Sequence, residues 1–287
     1  MYPAKFDYYR ANSLDEALSL LQQHGENAKV LAGGHSLIPS MKLRLSQPPV
    51  LIDIGRVEDL RGIRSTGENS AWIGAMTTYA EIAADETLRN NPGFGALVDA
   101  CSLIGDVQVR NCGTIGGNLS HNDPASDLPG VALALDSVLE IVGPAGENTM
   151  PASDFIVGLM ETALGPADIV RAVNFQGLHG ASAYEKFENS ASGYAICGIA
   201  AYVDDGQVRV AVNGALDRAR RLTPVEEALG NARDSQAIEA AAERATEGLQ
   251  EWDFMSDIHA DADYRAHLMK VLTRRALEKA ITRARNR

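Results

Sequence analysis

Two glycine pairs constrain this sequence more than any other feature. The first lies in VLAGGHSL, Val30 to Leu37, where an apolar run passes through Gly33-Gly34 into His35 and Ser36. The second lies in GTIGGNLSHNDPASDLP, Gly113 to Pro129, with Gly116-Gly117 near its start. Consecutive glycines permit positive φ and remove the Cβ atoms that keep another backbone or a ligand at a distance. Their N–H groups can then converge into a nest that accepts phosphate oxygens. One such pair after a strand is an ordinary turn. Two, each followed by small polar side chains, suit a diphosphate held from two sides, with Ser36, Thr114 and Asn118 adding side-chain hydrogen bonds. Neither stretch is a P-loop, and GTIGGN has the wrong spacing for G-x-G-x-x-G and opens no clear helix.

The rest of the chain arranges itself around these loops. NSLDEALSLLQQHG reads as a first helix, with Ser13 and Glu16 at capping-box spacing and Gly25 as its stop. AKVLAGG and PVLIDIG read as short buried strands, so residues 1–56 form a small α/β unit. A second α/β unit spans 57–176: AWIGAMT a strand, TYAEIAAD and GFGALVDACSLIG helices, VALALDSVLEIVG a helix leading into a strand, and ADIVRAVNF a closing strand. Within it, residues 113–130 read mostly as loop. The third unit, 177–287, has β-rich runs joined by Asp205-Gly206, a strong hairpin turn, followed by helices. Thr223 is the expected N-cap of TPVEEALG, with Pro224 at the first helical position. The last helix is basic (Lys270, Arg274, Arg275, Lys279, Arg283, Arg285, Arg287), which reads as a solvated face suited to the helix dipole. The fold class is α+β.

Composition narrows the function. The chain has 287 residues, 45% hydrophobic and 22% charged, and a net charge of −12. That balance argues against nucleic-acid binding by charge, but backbone amides can still bind a dinucleotide. The start of the chain has no apolar core of a signal peptide and no run of about 18 apolar residues suggests a span, so the default expectation is cytoplasmic. Cys101, Cys112 and Cys197 match neither a disulfide framework nor a zinc site. An all-cysteine iron–sulfur cluster needs about four thiolates, so any such cluster would belong to another chain.

LAGGHSLIPSMKLR together with VRNCGTIGGNLSHNDPASDLP resembles the FAD-binding medium subunit of the molybdenum hydroxylases, of the carbon monoxide dehydrogenase and xanthine dehydrogenase type. The resemblance extends to FDYYRANSLDEAL and IGAMTT and covers essentially the whole chain. It implies a two-part FAD-binding domain of the vanillyl-alcohol-oxidase/PCMH type, followed by an antiparallel sheet with a helical layer. It implies that Ala32, Gly33, Gly34, His35, Ser36 and Leu37, with Thr114, Ile115, Gly116, Gly117 and Asn118, grip the FAD pyrophosphate. By the same resemblance Asp123, Ser126 and Asp127 lie near the flavin and ribityl chain, Tyr194 packs on the ring, and Lys186 is a ring neighbour. FENSASGY lacks the arginines the family usually has after that lysine. The molybdenum–pterin and two [2Fe–2S] clusters are implied on a large and a small partner subunit, in a dimer of heterotrimers.

Plainer readings stand beside several of these residues. His35 reads as a loop-orienting side chain rather than a catalytic base. Asp127 either contacts the flavin or caps LPGVALAL. Tyr194 either shields the flavin or is a core aromatic. No Ser/His/Asp or Cys/His arrangement and no carboxylate pair stands out, which fits a flavin that relays electrons and carries the chemistry itself. The alternatives are a stand-alone FAD oxidase or reductase of the same fold, and a non-enzymatic nucleotide-binding module.

Overall fold

The computed structural model describes residues 1–286, and Arg287 lies outside it. The chain begins with β1 (Asp7–Arg10), α1 (Leu14–His24), β2 (Ala28–Leu31), α2 (Leu37–Lys42) and β3 (Val50–Asp53). Ser13 accepts the Glu16 N–H at 3.1 Å, and Gly25, at φ +55°, ends the helix. The three strands form a parallel sheet in the order β1-β3-β2, so each connection crosses over the sheet and α1 carries the first. Central β3 buries Val50, Leu51 and Ile52. The first glycine pair therefore leaves the carboxyl end of an edge strand.

The chain continues through β4 (Ile63–Gly67), β5 (Ser70–Gly74), α3 (Tyr79–Ala84), α4 (Glu86–Arg89), α5 (Gly95–Leu103), α6 (Val107–Cys112), α7 (Ile115–His121) and α8 (Leu128–Ala134). Then come β6 (Val138–Gly143), β7 (Gly146–Pro151), α9 (Ala152–Phe155), β8 (Ile156–Gly158), β9 (Glu161–Thr162) and β10 (Ile169–Phe175). The main sheet, β4-β5-β10-β6-β7, is antiparallel throughout, with the closing strand at its centre. Ile73, Leu139 and Val173 of the sheet share a core with Leu97, Ile115, Leu119 and Val131 of the helices.

Residues 113–130, expected as mostly loop, contain α7 and the start of α8. A glycine in a helix interior costs about 1 kcal/mol relative to alanine, and α7 contains two. Tertiary contact reverses that preference. Thr114 caps the helix by accepting the Gly117 N–H at 3.2 Å. Gly116 lies so close to Ala75 that a Cβ there would come within 2.4 Å of the alanine methyl. The missing side chain is what lets α7 lie against the sheet.

The remaining strands are β11 (Ala181–Glu188), β12 (Ala195–Val203), β13 (Val208–Asn213) and β14 (Arg220–Arg221), antiparallel in that order. The remaining helices are α10 (Thr223–Leu229), α11 (Ser235–Glu243) and α12 (Ala262–Arg285). All of β12 is buried because both faces are covered. Ile199, Ala201 and Val203 face the core under α12, while Ala200 and Tyr202 face the core shared with α5 and α8. The Asp205-Gly206 turn is held by Asp204, whose carboxylate accepts the N–H groups of Gly206 and Gln207 at 2.9 and 2.7 Å.

Thr223 is the first residue of α10 rather than its cap, and Leu222 stands at the cap position without a side-chain bond. The helix start is fixed tertiarily instead. Leu222 donates its N–H to Val210 O at 2.7 Å, and Glu226 accepts from Val210 N and from Arg221. Nor is α12 simply a solvated basic face: Arg283 makes a two-pronged bond to Asp99 of α5 at 2.7 and 2.9 Å, with Lys279 at 3.2 Å. Among the described residues no helix is long and apolar enough to cross a membrane.

Candidate cofactor site

A cleft of about 800 Å³ opens between the parallel sheet and the α7 region. Ala32, Gly33, Gly34, His35, Ser36 and Leu37 line it, facing Thr114, Gly116, Gly117 and Asn118. Asp123, Ser126, Asp127 and Tyr194 complete the expected set on its wall. Two expected residues are not on the wall: Ile115 is buried in the core, and Lys186 lies behind the surface. The glycine loops meet directly. A Cβ on Gly33 would lie 2.0 Å from the Cys112 carbonyl oxygen, and one on Gly117 would be 3.5 Å from the Ala32 methyl.

The two loops differ in what they offer. Among the described residues, the N–H groups of Gly34, His35, Ser36 and Leu37 have no partner within the chain. They include the open first-turn donors of α2, which need an outside acceptor. The second loop has spent its donors: Ile115 N–H on Thr77 O at 3.1 Å, Gly116 N–H on Ala75 O at 2.9 Å, and Gly117 N–H on Thr114 Oγ1 at 3.2 Å. The paired nest of bare amides expected from the sequence is thus one nest and one smooth wall. The second loop supplies close approach and side chains, while the first supplies the anion-binding amides. His35 Nδ1 is 2.9 Å from Gly33 O, which favours its loop-orienting reading.

Behind the wall lies a buried polar network. Tyr184 donates to Asp127 Oδ1 at 2.6 Å, and Lys186 Nζ is 3.2 Å from the same oxygen. Lys186 also donates to the carbonyls of Leu103 and Gly193, each at 2.9 Å. Asp127 makes no capping bond to α8, which removes the capping alternative. Burial pushes its carboxyl above the usual range, while Lys186 and Tyr184 oppose the shift. Tyr194 is 44% exposed, so it is no core aromatic. Burial and then the charge of Asp123 push its hydroxyl up, against a hydrogen bond with Ser36.

Several wall residues were not anticipated from the sequence. Tyr79 Oη accepts from Asn118 Nδ2 at 2.9 Å, and its ring fills the space a side chain on Gly113 would need. The capping box of Thr78 and Glu81, which fixes the start of α3, was the available clue. Met160 and Thr162 reach the cleft from the β8–β9 hairpin. That hairpin hangs on Asn122 Nδ2, which donates to Gly158 O at 3.0 Å and Glu161 O at 2.9 Å. Lys29 is the sole lysine or arginine on the wall among the described residues, so bound phosphates would rely on neutral donors. No group of three or more metal-ligating side chains occurs among the described residues.

Residues 4–175, most of the chain and both glycine loops, match the family described as the FAD binding domain in molybdopterin dehydrogenase. The chain belongs to this family. Residues 182–280 match the CO dehydrogenase flavoprotein C-terminal domain. The chain is 37% identical to the 6-hydroxypseudooxynicotine dehydrogenase complex subunit alpha of Paenarthrobacter nicotinovorans, over 99% of this chain and 97% of that one. It is also 37% identical to the carbon monoxide dehydrogenase medium chain of Afipia carboxidovorans, with both chains covered completely. Its fold matches a structure of carbon monoxide dehydrogenase from Hydrogenophaga pseudoflava lacking the Mo-pyranopterin moiety, with TM-score 0.91, 34% identity, and 99% and 100% of the two chains covered. The protein is accordingly a flavoprotein of the molybdopterin dehydrogenases, an oxidoreductase class. The cleft fits that cofactor. It has the volume of a small-molecule pocket, a row of unpartnered amides for a diphosphate, and glycines where side chains would fill the space.

Proposed function

We propose that the cleft holds FAD, with the diphosphate against the amides of residues 34–37 and the second glycine loop closing over it. The observation that carries this reading is the contact between Gly33 and the Cys112–Gly113 backbone, which makes one cleft of two distant glycine motifs. In this reading Thr114, Asn118 and Ser126 hold the ribityl side, and Tyr194 covers the ring. Ser126 Oγ donates to Asn118 Oδ1 at 2.6 Å, and Asn118 in turn donates to Tyr79, so these groups are oriented before any ligand arrives.

The chain is then the electron-relay subunit of a heteromeric molybdenum hydroxylase. Substrate is oxidised on a large molybdenum–pterin partner, and electrons arrive through two [2Fe–2S] clusters on a small partner and leave to an external acceptor. Bound FAD supplies the passage between single-electron and two-electron transfer. The protein supplies position and electrostatics: unpartnered amides for the diphosphate, and a wall that excludes water from one side of the cleft. The three reduced cysteines support partner-borne clusters, since Cys101 and Cys197 are buried apart from the cleft and burial raises both thiols. A cytoplasmic dimer of heterotrimers, and the division of this chain near residues 56 and 176, belong to the same proposal. Affinity purification from the native host tests it. FAD, iron and molybdenum should co-elute with two further chains; a colourless preparation, or a yellow one that oxidises substrate alone, contradicts it.

A further inference from the structure

Lys186 has a side chain that is 1% exposed, yet it is not on the cleft wall. An ammonium has three donors, and all three are used: on Leu103 O, on Gly193 O and on the Asp127 carboxylate. These acceptors come from three places: the last residue of α5, the loop between β11 and β12, and the residue before α8. A buried cation is tolerated only when paired and fully hydrogen-bonded. The same bonds that satisfy Lys186 therefore fix the three segments relative to one another.

Gly193 is the segment with freedom to lose. It lies in the loop, at φ +72°, and directly precedes Tyr194. A Cβ on it would lie 3.3 Å from Gly105 Cα, so the loop rests on the turn after α5. Around Tyr194 the backbone has four other ties: Gly193 N–H donates to Asn189 O at 2.8 Å, Tyr194 N–H to Ser192 Oγ at 3.4 Å, Asn189 N–H to Tyr194 O at 2.8 Å, and Ala195 N–H to Ala125 O at 3.2 Å. Tyr194 is 44% exposed, so core packing does not fix its ring, whose hydroxyl is tied only at its far end, by a hydrogen bond with Ser36.

We propose that Lys186 is a positioning residue that, through Gly193 and Asp127, sets the stance of the Tyr194 ring over the cleft. The inference rests on the FAD reading of the cleft. Lys186 then acts on the flavin at second hand, without touching it.

An aromatic ring held against a flavin quenches its fluorescence, so the stance can be read optically. The test uses the FAD-loaded protein, isolated in the assembly in which it is made. Tyr194→Ala and Lys186→Met are each expected to raise the fluorescence per bound flavin several-fold, with flavin content measured for each variant. The double variant should be no brighter than Tyr194→Ala alone, because Lys186 works through the ring. A Lys186→Met protein as dark as wild type, or a double variant in which the two gains combine fully, overturns the proposal. Should Lys186→Met fail to fold, Lys186→Met with Asp127→Asn removes both charges and is read the same way. If wild type carries no flavin, the FAD reading fails, but hydrogen exchange on the flavin-free chain still decides the Lys186 tie. Faster exchange in Lys186→Met confined to residues 189–195 supports the tie, and unchanged exchange there overturns it.

Discussion

The carbonyl oxygen of Cys112 occupies the place a Cβ on Gly33 would need, 2.0 Å from that position. Main chain meets main chain here, and neither side can yield as a flexible side chain would. Gly33→Ala is therefore expected to force the two loops apart, at about 1–3 kcal/mol of stability. Thermal unfolding of the flavin-free protein measures the cost, and flavin content after purification should fall with it.

Asn122 carries a second prediction. It adopts the left-handed region at φ +47°, is 1% exposed, and suspends the β8–β9 hairpin by two hydrogen bonds. Asn122→Gly keeps the backbone conformation and loses the bonds, whereas Asn122→Ala loses both. Asn122→Gly should cost about 1–3 kcal/mol, with Asn122→Ala worse by about 1 kcal/mol. Both should speed proteolysis within residues 157–162, as limited digestion will show. Equal stability of the two variants would refute the conformational part of the argument.

Thr114 should behave as a helix cap. Thr114→Val removes the oxygen that accepts the Gly117 N–H and is expected to cost about 1 kcal/mol. Thr114→Ser should cost far less. Urea unfolding of the two variants provides the comparison.

Asp99 binds α12 to α5. Burial alone would raise its carboxyl, but the hydrogen bond and charge of Arg283, with the Tyr184 N–H and Lys279, outweigh burial and hold it below the ordinary value of 3.8. A depressed carboxyl stabilises the fold above its unfolded value and loses that contribution as pH falls through its folded value. Asp99→Asn should thus cost about 2–3 kcal/mol at neutral pH. Its deficit against wild type should stay constant down to the ordinary value of 3.8 and shrink below it. Urea midpoints measured against pH check the sign; a deficit that grows in acid would reverse it.

The sequence made the glycine loops legible because their constraint is local: a missing Cβ is visible in the letters. Helices with a cap and a stripe, such as α1, could be read for the same reason. What escaped was set by partners distant in sequence. β1 shows no alternation, since its four residues are all exposed and it pairs along a parallel edge. β7, GENTMP, is polar and largely exposed, and is a strand only because β6 offers it a ladder. α7 contradicts its own propensity and exists because Ala75 lies beneath Gly116. The same fact corrected the anion cradle: contact with Ala75 and Thr77 consumed the amides that looked free on paper. The resemblance puts Lys186 at the ring, but its ammonium is held behind the wall residues Asp127 and Gly193, a geometry that no spacing encodes.

The most direct test of the central claim is a crystal structure of the protein with FAD bound. The diphosphate should accept hydrogen bonds from the amides of residues 34–37, with the Gly116–Gly117 backbone closed against it. A diphosphate bound elsewhere, with those amides turned to solvent, would contradict the account.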